Sequence, residues 1–217
     1  MSLDNINLSH LWQLLTRLGE FQMLLPTMAL VLIPLARQPS GRSQASCWLL
    51  ALAGAAMLTL ASKLAFLGWG MGSSSFNFTG VSGHAMFAAA IYPLAFGILA
   101  SQRAPLTQGL AVGAGCCLAL VVGLSRVVVG VHSGSEVVLG LFLGGAVSVW
   151  VIGKSGLPRA VLGTAVPILV LAWFLVSPMH TPQLPTHSWV TRLSLVLSGQ
   201  HAPYTRTDLL RGTPPSP

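Results

Sequence analysis

Residues 104–154 read APLTQGLAVGAGCCLALVVGLSRVVVGVHSGSEVVLGLFLGGAVSVWVIGK. Two runs without a formal charge, 104–125 and 137–153, flank a short segment that holds Arg126, His132 and Glu136. A helix needs about 20 apolar residues, and at least about 17, to cross the apolar layer of a bilayer. Both runs meet that requirement, so the pattern predicts two membrane helices joined by a loop that carries ionisable groups to one rim.

Charge-free runs recur on either side, at 21–36, 43–62, 85–102 and about 160–177. Six runs predict an all-α fold, a polytopic membrane helical bundle with about six transmembrane helices. Pro26 and Pro34 fall in the first run and Pro167 in the last, which a membrane helix tolerates when neighbours resatisfy its backbone. Composition agrees: 53% of the 217 residues are hydrophobic and 7% charged, against roughly a quarter charged in a soluble domain. The net charge of +7 is dispersed between the runs and builds no dense basic face, which argues against nucleic acid as a partner. Of the four acids only Glu136 lies in the apolar body, too few for a hard-metal cage. No metal and no cofactor are expected. Cys47, Cys116 and Cys117 fall in apolar runs without zinc-type spacing and read as packing or lipid-facing residues.

Three regions follow. In residues 1–20, Leu8, Leu11, Trp12, Leu15 and Leu18 recur at helical spacing opposite a polar side, which suits an amphipathic segment in the interface or an extension of the first span. No removable signal peptide is indicated. Residues 21–177 form the transmembrane domain. Residues 178–217 are Pro-rich and are expected to be mostly extended, with one apolar patch at 190–197. His180, His187 and His201 match no compact zinc pattern and read as solvated tail residues. Arg37, Arg42, Arg103, Lys154 and Arg159 occupy alternate loops, so the positive-inside rule puts those loops in the cytoplasm and both termini outside. Trp48, Trp69 and Trp150 lie near span ends, where they read equally as interfacial anchors or as packing residues.

Ionisable groups at membrane depth are costly and mark function by default. Lys63 closes the second run, His84 opens the third, Arg126 closes the fourth, and His132 with Glu136 opens the fifth, so all five reach the outer end. On a helix, His132 and Glu136, four apart, share a face; the carboxylate then fixes one imidazole nitrogen and leaves the other nucleophilic. Ser82-Gly83-His84 follows a Gly- and Ser-rich stretch and opens a helix, whose free N–H groups favour an anion. With Lys63 and Arg126 these pieces describe a pocket for a tetrahedral oxyanion such as phosphate.

Val81-Ser82-Gly83-His84, then Ser125-Arg126, five residues, His132, three residues and Glu136, resembles the second and third signatures of the type 2 phosphatidic acid phosphatase superfamily, which includes lipid phosphate phosphatases and vanadium haloperoxidases. Those signatures read P-S-G-H and S-R-x5-H-x3-D, and the resemblance covers roughly residues 45–155. Three positions depart from it. The first signature, K-x6-R-P, begins at Lys63 but meets Gly70 and Met71 where Arg and Pro are expected. Val81 replaces Pro, and Glu136 replaces Asp. The missing arginine removes a phosphate contact worth about 1.5–3 kcal/mol, or one to two powers of ten in rate. Arg192 or Arg206 in the tail is a conceivable substitute.

The resemblance implies metal-independent hydrolysis of a lipid phosphate or polyprenyl diphosphate, with the substrate's apolar tail lying among the helices. His132 would be the nucleophile, oriented by Glu136, and His84 the proton donor. Lys63, Ser82, Gly83, Ser125 and Arg126 would form the phosphate-binding set. The site would face the non-cytoplasmic side, the periplasm for a protein of a bacterial inner membrane. Three other readings stay open: a non-catalytic lipid-headgroup binding protein on the same fold, because of Gly70; a small transporter or proton relay using His84, His132 and Glu136; and haloperoxidase activity on the same scaffold, although those family members are generally soluble. The sequence does not specify which lipid is the substrate or the oligomeric state.

Overall fold

The computed structural model describes residues 3–157, 159–180 and 185–213. The chain forms helices α1 (Leu3–Arg17), α2 (Phe21–Arg37), α3 (Arg42–Trp69), α4 (Gly83–Leu99), α5 (Pro105–Val128), α6 (Gly134–Ser155), α7 (Ala165–His180), α8 (Thr186–Ser198) and α9 (Arg206–Arg211). A 3-10 turn at Pro39–Gly41 leads into α3. Among the described residues there is no strand, only a single bridge between Ser73 and Phe78.

Each of the six charge-free runs carries a helix, α2 to α7 in order. The count of six spans is not established by their lengths. Among the described residues three helices are long and apolar enough to cross a membrane alone: the one spanning Pro39–Trp69, α5 and α6. A fourth span is available if α1 and α2, bent by 44° at the break between them, act as one. The apolar helix α4 and the apolar stretch Ala165–Ser177 of α7 are shorter. Leu50, Met57, Phe142 and Val149 point outward and are exposed, the arrangement of a protein whose surroundings are lipid tails. The chain is an integral membrane protein.

α4 is the axis of the bundle. Its residues from Ala88 to Ala95 are buried, enclosed by α5 and α6, and glycines on those helices permit the contact. A Cβ on Gly115 would stand 2.5 Å from the Tyr92 carbonyl oxygen, one on Gly140 2.6 Å from that of Ser82, and one on Gly144 2.0 Å from that of Met86. Small residues let backbones approach where lipid supplies no hydrophobic drive for helix association. Pro93 sits inside α4 and cannot donate to the carbonyl of Ala89. The Ser148 hydroxyl does so instead, at 2.7 Å. Trp48, expected as an interfacial anchor or a packing residue, is buried and donates from Nε1 to the Ala90 carbonyl at 3.0 Å. Trp69 and Trp150 are exposed.

The tail differs from the extended chain expected of it. α8 lies against α3, with Ser194 and Ser198 packed over Gly68, and the Tyr204 N–H donates to the Leu67 carbonyl at 2.9 Å. α9 begins with a Thr205–Asp208 capping box, and left-handed glycines, Gly199 and Gly212, end the two helices. The seven prolines of residues 178–217 obscure two short helices whose support is tertiary. Of the three tail histidines, His187 and His201 are exposed, and the side chain of His180 lies outside the description.

Candidate active site

The loop between α5 and α6 shapes the first half of the site. α5 ends as the N–H groups of Val131 and His132 both turn back to the Arg126 carbonyl at 3.2 Å, with Gly130 in a left-handed conformation, φ 78°. Ser133 then caps α6 in a reciprocal capping box with Glu136. His132 therefore precedes the helix cap and does not share a helical face with Glu136 as expected. The contact is made across the capping turn: His132 Nδ1 lies 2.6 Å from Glu136 Oε2. A carboxylate only accepts, so Nδ1 carries the proton and Nε2 keeps its lone pair.

Glu136 is fully buried and heavily hydrogen-bonded. Oε2 also accepts from the Ser133 N–H at 3.1 Å. Oε1 accepts from the Thr79 N–H at 2.7 Å and the Thr79 hydroxyl at 2.6 Å. Arg206 Nη2 lies 2.9 Å from each carboxylate oxygen. Burial lowers the pKa of His132 below the ordinary histidine value; Lys63 and Arg126 push the same way, against the Glu136 hydrogen bond. The ring is therefore neutral at neutral pH.

The second half is the N-terminus of α4. The Ser82 N–H donates to the Glu136 carbonyl at 3.1 Å, joining α4 to α6 at their first turns. Ser82 stands at the N-cap, yet its side chain makes no cap hydrogen bond. Its Oγ is buried and has no partner among the described residues, and the same is true of Arg126 Nε and Thr59 Oγ1. The N–H of Gly83, at the first helical position, has no intrahelical acceptor. Lys63 from α3, His84 from α4, Arg126 from α5 and His132 act electrostatically on one another. The His84 ring packs against the α1–α2 turn, where a Cβ on Gly19 would lie 3.1 Å from its Cδ2. Arg126 Nη1 donates to the Thr16 hydroxyl at 2.9 Å. Ser125 is buried but donates to its own helix, to Val122 O at 2.6 Å, so its hydroxyl proton is not offered to a ligand.

Residues 36–156 match the PAP2 superfamily, a stretch that includes all of these residues except Arg206, Thr16 and the α1–α2 turn. The chain belongs to the PAP2 superfamily. PAP2 members are generally phosphatases. A 22.5 kDa protein of Klebsiella pneumoniae, described as uncharacterized and as lying in the cps region, is 34% identical over 202 residues, 91% of this chain and 97% of its own length. No solved structure matches the chain.

The three departures from the PAP2 signatures have local physical reasons. Val81 retains an N–H that proline lacks and donates it to the Ser62 hydroxyl at 3.0 Å. Glu136 is long enough both to close the capping box on Ser133 and to reach His132. Gly70 is the left-handed C-cap of α3, φ 69°, and the Tyr204 ring lies where a Cβ would project, 2.8 Å away. The space of the missing arginine side chain is thus occupied by the tail. Of the two tail arginines considered as substitutes, Arg192 is exposed on α8 and Arg206 joins Glu136. Thr79, Thr59 and Ser62 carry no charge and match no signature, so nothing in the sequence marked them. Among the described residues no three His, Cys, Asp or Glu side chains converge as metal ligands.

Proposed function

We propose that the protein is a membrane-embedded phosphatase that hydrolyses lipid phosphates or polyprenyl diphosphates through a phosphohistidine, without a metal ion. The observation that carries this reading is the His132 Nδ1 to Glu136 Oε2 hydrogen bond of 2.6 Å, which leaves Nε2 as a neutral nucleophile; Ser82 Oγ and Arg126 Nε, on α4 and α5, are buried without partners among the described residues. Nε2 attacks phosphorus, the bond from phosphorus to the leaving oxygen breaks, and His84 gives that oxygen its proton. Water then attacks the phosphohistidine, His84 takes the water's proton, the P–N bond breaks and phosphate leaves. Lys63, Ser82 Oγ, the Gly83 N–H and Arg126 hold the phosphoryl oxygens and offset charge that develops on them. Ser125 stays outside this set.

A second reading, a lipid-headgroup binding protein without turnover, is favoured by one feature: Gly70 supplies no cation, and Arg206 is engaged with Glu136. One experiment separates them. Purified protein is given a panel of lipid monophosphates and polyprenyl diphosphates with chelator present, and the protein is then assayed for phosphate on histidine. Phosphate release that survives the chelator, with label on His132 and none in His132→Ala, is the expected result. A well-folded protein that binds these lipids without releasing phosphate supports the binding reading.

A further inference from the structure

The Glu136 carboxylate has more donors than the orientation of one imidazole requires. His132 and Ser133 serve Oε2 and Thr79 serves Oε1 twice, yet Arg206 also reaches both oxygens, from a helix about 70 residues further along the chain. The guanidinium is itself fixed. Nη1 donates to the Asn77 carbonyl at 2.9 Å and to Asn77 Oδ1 at 2.6 Å, and Nη2 donates to the Thr79 hydroxyl at 3.2 Å. Asn77 adopts positive φ, 49°, so the 70–79 segment is folded to present these acceptors. The tail that carries Arg206 is anchored on both sides, by the Tyr204 N–H on Leu67 and by Leu209 packed near Gly72.

We infer that Arg206 is a positioning residue: it clamps the Glu136 carboxylate in its ionised form and shares its charge, so that this carboxylate orients His132 without drawing a second proton onto the ring. The assignment rests on the phosphatase reading for its consequence in turnover, but its electrostatic effect on His132 is measurable without turnover. A carboxylate relieved of its guanidinium partner acts with its whole negative charge on His132, and the ring gains a proton more readily. The other charged groups around the pair are Lys63 from α3, His84 from α4 and Arg126 from α5. All three stay in place when Arg206 alone is changed, so the shift isolates Arg206.

The test is a nitrogen-15 histidine titration of the full-length protein in detergent, with the His132 signal assigned by its disappearance in His132→Gln, alongside pH profiles of phosphate release. In Arg206→Gln the His132 pKa rises by about one unit, the acid limb of kcat/KM moves up with it, and kcat falls about ten- to a hundredfold. Arg206→Lys returns the titration toward wild type. Asn77→Gly, which removes an acceptor for Arg206 without touching Glu136, shifts it in the same direction as Arg206→Gln and by less, and reads the effect should Arg206→Gln misfold. An unchanged His132 titration in folded Arg206→Gln overturns the inference even if activity drops, since activity alone would then report a loosened tail. A wild-type protein that releases no phosphate while the titration still shifts overturns the phosphatase reading and leaves the clamp in place.

Discussion

Ser82 and Ser133 occupy the same N-cap position on α4 and α6, yet only Ser133 uses its hydroxyl to cap. Ser133→Ala should therefore cost stability, about 1 kcal/mol for a lost N-cap. Ser82→Ala removes no described hydrogen bond and relieves a buried unpaired hydroxyl, so thermal unfolding in detergent should be unchanged or slightly raised. Its kcat/KM for a lipid phosphate should fall about tenfold or more if the hydroxyl meets a phosphoryl oxygen; a fall in stability with no change in rate would make Ser82 structural. The nucleophile sets a pH limit as well. Its folded pKa lies below the ordinary value of 6.5, so activity persists down through pH 6.5 and is lost as His132 protonates at lower pH. A kcat/KM acid limb above 6.5 would contradict a neutral His132. The pairing of His132 with Glu136 was legible in the sequence because a spacing of four serves a capping turn as well as a helical face. Arg206 was legible only as one of two conceivable cations, since nothing local to residue 206 encodes where α9 docks.

α4 and α6 meet through glycine, and the sequence shows Gly140 and Gly144 four apart without showing which helix they face. The structure supplies the partner, the carbonyls of Ser82 and Met86. Gly144→Val places a Cβ against backbone that cannot yield as a flexible side chain would. The expected cost is about 3 kcal/mol or more, the upper end of overpacking, read as a lower unfolding midpoint, with phosphate release lost because the first turn of α4 is displaced. Gly145, one position on and with open space around it, is the control: Gly145→Ala should leave both unchanged. The helices α2 to α7 were visible as charge-free runs because apolarity is a property of composition. α8 and α9 were hidden because their support comes from α3 and from the 70–79 segment, contacts that no window of sequence contains.

For the molecule as a whole, Arg37, Arg42, Arg103, Lys154 and Arg159 gather in the loops and helix ends away from the site, and all are exposed. The orientation expected from the positive-inside rule, with His84 and His132 on the outer side, is open to a direct test. In a variant with the three native cysteines replaced by alanine, Ser74→Cys should react with a membrane-impermeant maleimide in intact cells and Ser155→Cys only after lysis. The opposite labelling would invert the orientation.

α4 does not start level with its neighbour's end. Val81 bonds to Ser62, Gly80 rests on Lys63 and Gly83 on Thr59, positions well before α3 stops at Trp69. At a rise of about 1.5 Å per residue, that sets the start of α4 about 9 to 15 Å back from the end of α3. On the phosphatase reading, a substrate phosphate would have to reach a point set back from the end of α3, alongside residues 70–79. On that reading terminal monoesters and diphosphates should turn over faster than phosphodiesters that carry a sugar or an amino alcohol, which kcat/KM on the two classes checks. Selectivity on this view is a matter of reach and girth, set by where one helix begins.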